Sequence, residues 1–189
     1  MNYAEHRRFV ELWDKGNYRG GSTAQRLVDR ILVHIPEGAS IHDYGSGTGR
    51  AEVEILKRRM GKHRITMIDI APNALEDECL ALMDDKLKFL HADISDIGLL
   101  PVADWGLVIN TLMTVPRETL DACLREIRRT CKNLFFEAYD MDDFRMGSNQ
   151  TKTKLNATEW KLKLLEHWPE VYEEHSPESD RRYIFICYS

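Results

Sequence analysis

The run Ile41–Arg50, I-H-D-Y-G-S-G-T-G-R, constrains this chain more than any other stretch. Gly45, Gly47 and Gly49 fall at alternate positions directly after a short, partly apolar run that carries Asp43, and a helix-like segment follows at once. A strand that breaks into glycines and re-enters as a helix brings backbone close to a ligand, because no Cβ stands in the way and the helix N-terminus offers unpaired N–H groups.

The rest of the chain reads as an alternation built around that turn. Residues 3–14 form a short amphipathic helix, followed by a polar, glycine-rich loop (Asp14–Gly21) that carries Tyr18 and Arg19 and reads as a linker or a lid. Ser22 and Gln25 make an S-x-x-Q capping box for a helix with apolar side chains at 24, 27, 28, 31, 32 and 35, ended by Pro36-Glu37-Gly38. Beyond the turn, Ala51, Val53, Ile55, Leu56 and Met60 line a helix that Gly61 stops. Arg64–Ile70 is a second strand, Pro72 and Asn73 start a helix reaching Met83, and Leu87–Ile94 is a third strand ending in Asp93. Trp105–Leu112 is apolar until Asn110 and Thr111, which suits a strand buried on both faces.

Thr114 then serves as an N-cap, with Pro116 in the first turn of a helix facing inward through Leu120, Leu124 and Ile127. Asn133–Tyr139 is a fifth strand, and Asp140–Asn156 reads as a polar loop. Asn156 and Glu159 box the start of a helix bearing Trp160, Leu164 and Trp168. Val171–His175 and Arg182–Tyr188 are separated by too few residues for a helical crossover, so they must pair antiparallel. The expected fold is therefore α/β: a three-layer, doubly wound, mostly parallel seven-stranded sheet with an antiparallel C-terminal strand, in a single domain over 1–189 whose first 21 residues supply a helix and a possible lid.

Composition excludes several classes. At 189 residues, 43% hydrophobic and 30% charged, the chain can bury a substantial core, and no run is long and apolar enough to span a bilayer. Cys79, Cys123, Cys131 and Cys187 are scattered without a C-x-x-C, which argues for free thiols in a cytoplasmic protein and against zinc or a disulfide framework. The net charge of −5 disfavours a dominant nucleic-acid surface. Two basic runs, Lys57–Arg64 and Arg125–Lys132, leave a local contact open, but each falls at a helix C-terminus, where cations suit the dipole.

Three strands carry an acid at or near their ends: Asp43, Asp69 and Asp93. In an open parallel sheet such ends share one edge, where ligands bind at the switch in strand order. Asp69 lies 20 residues beyond Gly49, a spacing that suits a carboxylate accepting from both hydroxyls of a ribose. Asp93, one strand further out, is placed for an adenine amino group. Any one of these acids could instead cap the following turn. The dinucleotide fingerprint G-x-G-x-x-G fails in both registers, since Arg50 and Glu52 stand where the last glycine belongs. An acid just before the glycines also suits a cationic amino group better than a pyrophosphate.

On these residues the chain resembles the class I S-adenosylmethionine-dependent methyltransferases: I-H-D-Y-G-S-G-T-G for the first motif, M-I-D-I with Asp69 for the second, H-A-D-I with Asp93 for the third, and a C-terminal hairpin whose last strand inserts antiparallel. The resemblance covers roughly Ser22 to Ser189. It implies S-adenosylmethionine as cofactor, with Asp43 orienting its amino group, and Gly45, Ser46, Gly47 and Gly49 letting it pass close to backbone. It further implies Asp69 on the ribose, Ile70 and Ile94 on the two adenine faces, Asp93 at the exocyclic amine, and Asn110 and Thr111 beside the methionine part. Tyr18 and Arg19 would close over it.

Positioning supplies most of the rate in such a transfer, and a base is needed only for a protonated acceptor. The candidates for a catalytic group are Thr111, Glu137, Tyr139 and Asp140. No D-P-P-Y or N-P-P-Y follows strand four, no Pro-Cys dipeptide is present there, and Thr114 stands where many small-molecule members carry a histidine. With no separate recognition domain, a small-molecule acceptor or a short accessible macromolecular feature is expected. Aminopropyl transfer and a catalytically silent cofactor-binding module are the alternative readings.

Overall fold

A computed structural model describes residues 3–16, 23–140, 151–177, 179 and 181–189. Seven strands, β1 (Ser40–Tyr44), β2 (Arg64–Asp69), β3 (Leu87–His91), β4 (Ala103–Ile109), β5 (Cys131–Tyr139), β6 (Glu170–His175) and β7 (Arg182–Tyr188), form one sheet in the order β3-β2-β1-β4-β5-β7-β6. The first five pair in parallel, while β7 slots between β5 and β6 antiparallel to both. The helices are α1 (Tyr3–Asp14), α2 (Thr23–Arg26), α3 (Val28–His34), α4 (Arg50–Arg58), α5 (Asp77–Ala81), α6 (Leu120–Thr130) and α7 (Ala157–Leu165).

Period-two alternation splits the core between the two faces of the sheet. Met67, Leu107, Phe135, Ile184 and Ile186 pack with Leu27, Ile31, Val53 and Ile55 of α3, its leading turn and α4. Their chain neighbours Ile68, Val108, Phe136 and Phe185 pack on the other face with Leu124, Ile127, Trp160 and Trp168. The reciprocal Asn156–Glu159 box starts α7, at 2.8 and 2.9 Å. Among the described residues no helix is long and apolar enough to cross a membrane, and no group of acids, histidines and cysteines is placed to hold a metal.

Several boundaries differ from the sequence reading, for identifiable reasons. The helix expected from Ser22 (which lies outside the described residues) is broken at Leu27 into α2 and α3. The segment 72–83 is a 3₁₀ turn at Pro72–Ala74 followed by the short α5, with Leu75 and Glu76 extended between them. Glu76 is drawn out of the helix by the glycine-turn region: its N–H donates to the Thr48 carbonyl at 3.2 Å, and its carboxylate takes the Arg50 fork, Nε at 2.8 Å. Thr114 does not cap α6. Val115 precedes a proline and is held extended, as is Pro116 itself, so 3₁₀ turns at Leu112–Thr114 and Arg117–Thr119 lead into a helix that begins only at Leu120. Strand β4 ends at Ile109, because Asn110 turns left-handed at φ 57°.

Carboxylates pair with most cations of the first basic run and with Arg129 and Lys132 of the second. Lys57 pairs with Glu78, Arg58 with Glu54 and Asp29, and Arg59 and Lys62 with Glu37. Arg129 pairs with Glu126, and Lys132 with Asp104.

Candidate functional site

The chain passes from β1 to β2 on one flank of the sheet and returns to β4 on the other, so the segments following β1 and β4 diverge there. They enclose, with the residues after β3 and with α1, a cavity of about 270 Å³. Gly45, Ser46, Gly47 and Thr48 line it from the glycine turn, Asp69 and Ile70 from the end of β2, Ala92–Ser95 from beyond β3, and Ile109, Asn110 and Thr111 from the end of β4.

The three turn glycines all have positive φ, yet they serve different ends. A Cβ on Gly45 would stand 2.3 Å from the Thr111 side chain, and one on Gly49 would stand 2.3 Å from Cys79 Sγ. These two let the turn sink against β4 and α5. Gly49 does not line the cavity. A Cβ on Gly47 would reach ordinary contact with the Trp13 ring, at 3.4 Å. The N-terminal helix α1 therefore lies over the glycine turn.

Helix α1 is fastened there by specific bonds. Asn73 Nδ2 donates to the Val10 carbonyl (3.0 Å) and to Asp14 Oδ1 (2.8 Å), His6 Nδ1 meets the Ile70 carbonyl at 2.6 Å, and Glu5 pairs with Lys152. Trp13 is 8% exposed and packs with Ala71, Ala74 and Phe9. Glu5, Phe9 and Trp13 line the cavity. They are functional-site residues that the sequence reading did not single out, although the amphipathic pattern of residues 3–14 was their signal. Thr114, Val115, Pro116 and Thr119 close the opposite side. Tyr18 and Arg19, the expected lid pair, lie outside the described residues.

Asp69 is buried, and both its oxygens are engaged: Oδ2 accepts from the Gly47 N–H at 2.9 Å and Oδ1 from the Ala71 N–H at 2.8 Å. Burial pushes its carboxyl above the usual range, against the pull of those amides. Each carboxylate oxygen has a further lone pair, so a hydroxyl in the cavity still finds an acceptor. Asp93 lines the cavity while its Oδ1 accepts from Ser95 N (2.9 Å) and Oγ (2.7 Å), so it also caps the local turn. Ile70 and Ile94 both reach the cavity.

Asp43 sits elsewhere. It does not line the cavity, and it is buried beneath the turn against Glu52 of α4, which is fully buried. The Glu52 oxygens meet no N–H or hydroxyl donor, and the group that approaches them is the Asp43 carboxyl. Burial first, then the facing acid, drives Asp43 well above the ordinary carboxylate range, and burial raises Glu52 as well. Two buried carboxyls next to each other both favour the protonated form. Nothing local in the sequence marks Glu52 as that partner.

Of the four catalytic candidates, Thr111 alone lines the cavity, with its hydroxyl donating to the Ile109 carbonyl at 3.2 Å. Glu137 is fully buried behind the wall, and Tyr139 and Asp140 stand outside the lining. Two residues that line the cavity each carry a buried polar atom without a partner: Ser46 Oγ and Asn110 Oδ1. A glycine cradle, a carboxylate at the end of β2 and two unmet polar atoms form a donor and acceptor set that fits an amino-acid nucleoside.

The comparisons with known proteins agree with this geometry. Residues 41–133 match a family described as a methyltransferase domain. No curated protein sequence matches. Among solved structures, the fold is similar to that of a Burkholderia thailandensis 1,6-didemethyltoxoflavin N1-methyltransferase with bound 1,6-didemethyltoxoflavin and S-adenosylhomocysteine, at TM-score 0.74 and 17% identity, covering 97% of this chain and 87% of that one. It is similar to a Synechocystis magnesium protoporphyrin IX methyltransferase with bound S-adenosylmethionine, at TM-score 0.68 and 12% identity over 97% of both chains. It is similar also to human N-acetylserotonin methyltransferase in complex with S-adenosylmethionine, at TM-score 0.65 and 16% identity, covering 86% of this chain and 51% of that one. At these identities the likeness is one of fold. The glycine turn, the acids at the end of β2 and after β3 and the matched methyltransferase domain fall in one place, and the fold is that of the class I S-adenosylmethionine-dependent methyltransferases.

Proposed function

We propose that this enzyme transfers the methyl group of S-adenosylmethionine to a small-molecule acceptor held in the same cavity, beneath α1. The observation that carries the reading is that one cavity of about 270 Å³ is shared by the glycine turn, the strand ends and the α1 side chains Phe9 and Trp13. A polymer would need an open groove lined by cations, whereas most cations of the first basic run, and Arg129 and Lys132 of the second, pair with carboxylates, and the net charge is −5. The similar structures described above are named for 1,6-didemethyltoxoflavin, magnesium protoporphyrin IX and N-acetylserotonin, all small molecules.

In this reading residues 1–189 are one domain, whose first 21 residues supply a helix and a lid. Gly45, Ser46 and Gly47 bring backbone to the cofactor, Asp69 accepts from the ribose, Ile70 and Ile94 pack on the adenine, and Asp93 accepts from its amine. Asp43 acts from below, by fixing the turn through Glu52 rather than by touching the ligand. The bound cofactor supplies an electrophilic methyl group on a sulfonium. The chain's own part is to hold an acceptor in line with it, between α1 and the Thr111–Thr119 segment, and to exclude water. The four buried free thiols suit a reducing compartment such as the cytoplasm. Transfer of a tritiated methyl group to small molecules, protein and nucleic acid from fractionated extract tests the proposal. Label entering only the small-molecule fraction is the expected result. Label in a polymer refutes the acceptor class, and binding without transfer to any fraction refutes the activity.

A further inference from the structure

The wall that the cavity takes from the end of β4 and the segment after it carries hydroxyls whose hydrogens are already spent. Thr111 Oγ1 donates to the Ile109 carbonyl at 3.2 Å, Thr114 Oγ1 to the Thr111 carbonyl at 2.8 Å and Thr119 Oγ1 to the Pro116 carbonyl at 2.9 Å. Beyond β3, the Ser95 hydroxyl donates to Asp93 at 2.7 Å. All four of these hydroxyl residues line the cavity. A hydroxyl engaged in this way has only lone pairs left to offer a ligand. Glu5, which lines the cavity from α1, accepts as well. Burial would raise its carboxyl, but the bonds from Lys152 and Arg8 outweigh that and hold it below the ordinary range. The same cavity takes apolar surface from Phe9, Val115 and Pro116.

We propose that the methyl acceptor is an amine nitrogen, whose N–H groups donate to the lone pairs of Thr114 and Thr119, with the Glu5 carboxylate as a further acceptor and Phe9, Val115 and Pro116 against the apolar body of the molecule. The inference deepens the small-molecule transfer reading above and rests on it. A neutral amine held by groups that only accept keeps its own lone pair unengaged, and its tetrahedral geometry turns that pair away from the bonds its hydrogens make. The pair then forms the new N–C bond to the methyl carbon. The C–S bond breaks with its electrons going to sulfur, and the sulfonium becomes the neutral thioether of S-adenosylhomocysteine. The nitrogen carries the positive charge until it releases one proton to solvent. No base is needed in the cavity, whereas an alcohol or phenol has to lose its proton to become comparably nucleophilic. Glu5 is ill suited to remove it, because its two cationic partners favour the ionised form and make it a weak base. A carboxylate or phosphate would meet lone pairs on this wall and be repelled.

The test incubates the unaltered protein with the small-molecule fraction of an extract and S-adenosylmethionine whose methyl carbon is isotopically labelled for NMR. The chemical shift of the transferred methyl, with its correlations to neighbouring atoms, tells N-methyl from O-methyl, S-methyl and C-methyl products. An N-methyl product is the expected result. A methyl on oxygen, sulfur or carbon overturns the inference, and no transferred methyl at all overturns the transfer reading on which it rests. The wall is then tested with Thr114→Val combined with Thr119→Val, which keeps the side-chain shape and removes the lone pairs. For the labelled fraction kcat/KM should fall by roughly tenfold to a hundredfold, while calorimetric affinity for S-adenosylhomocysteine stays within about twofold. The pair Thr114→Ser and Thr119→Ser, which restores the hydroxyls, should recover most of that loss. Unchanged kcat/KM in the valine pair, no recovery in the serine pair, or an equal loss of S-adenosylhomocysteine affinity overturns the part assigned to these hydroxyls.

Discussion

Replacing Asp69 by asparagine separates two jobs that its carboxylate performs. Asparagine has the same shape but a single acceptor oxygen, so it can keep either the Gly47 bond at 2.9 Å or the Ala71 bond at 2.8 Å, and turns an NH₂ toward the other N–H. A lost hydrogen bond to a charged group costs about 1.5–3 kcal/mol, and a buried carboxylate whose own desolvation is relieved offsets part of that. The expected net loss in the ligand-free protein is about 1–3 kcal/mol. For a chain of this length each kcal/mol moves Tm by about 2–4 °C. A drop of between about 2 and 12 °C should therefore appear in thermal unfolding. Binding of S-adenosylhomocysteine should weaken separately, by roughly tenfold to a hundredfold, as a ribose hydroxyl loses a charged acceptor. Differential scanning calorimetry and isothermal titration read the two effects independently. A variant that melts lower but binds unchanged would refute the ribose role, and one identical to the original protein in both assays would refute the turn-to-strand tie as well.

Other perturbations follow from the same packing. Glu52→Gln supplies an N–H donor to Asp43 and removes one of two carboxyls whose folded values lie above their ordinary 3.8 and 4.5. For an acid so raised, stability is fullest below the unfolded value and declines as pH rises through the folded one. The variant should thus lose less Tm than the original as pH rises above the ordinary carboxylate range, and an equal or steeper decline would sink the description of two raised carboxyls. His42 has the opposite sign: burial lowers it from 6.5 to about 4, so stability falls as pH drops through that window, by about 2 kcal/mol between pH 7 and 5. His42→Leu should flatten that part of the urea-midpoint profile; an unaltered slope would count against it. Gly49→Ala meets Cys79 Sγ at 2.3 Å with φ at 76°, and should cost about 3 kcal/mol, partly recovered by adding Cys79→Ala. No recovery in the double variant would mean that the Cys79 Sγ contact does not set the cost. Trp13→Ala, which uncovers Gly47, should lower cofactor affinity and speed its release in stopped-flow displacement; an unchanged release rate would show that α1 does not gate the cavity.

Alternation of apolar strands and amphipathic helices was legible without the structure, because periods of two and 3.6 are written locally in residue type. So were the glycine turn, with its positive φ at Gly45, Gly47 and Gly49, the acids after β2 and β3, and the antiparallel hairpin, whose connection leaves no other geometry. What local pattern lacks is the identity of a partner distant in sequence. Glu76 left its helix to reach Thr48 and Arg50, and Val115 before its proline delayed α6. Asp43 and Asp69 look alike as acids near strand ends. One is sealed against Glu52 beneath the turn, and the other binds Gly47 and still borders the cavity. Glu137 and Thr111 both follow apolar runs, yet only the register of β5 against β4 and β7 decides that Glu137 lies behind Asn110 while Thr111 meets the cavity. Residue type thus determined the elements and their chemistry. Which side chains face the ligand and which face one another was decided by packing, since burial and hydrogen-bond partners are properties of three-dimensional neighbours, not of spacing along the chain.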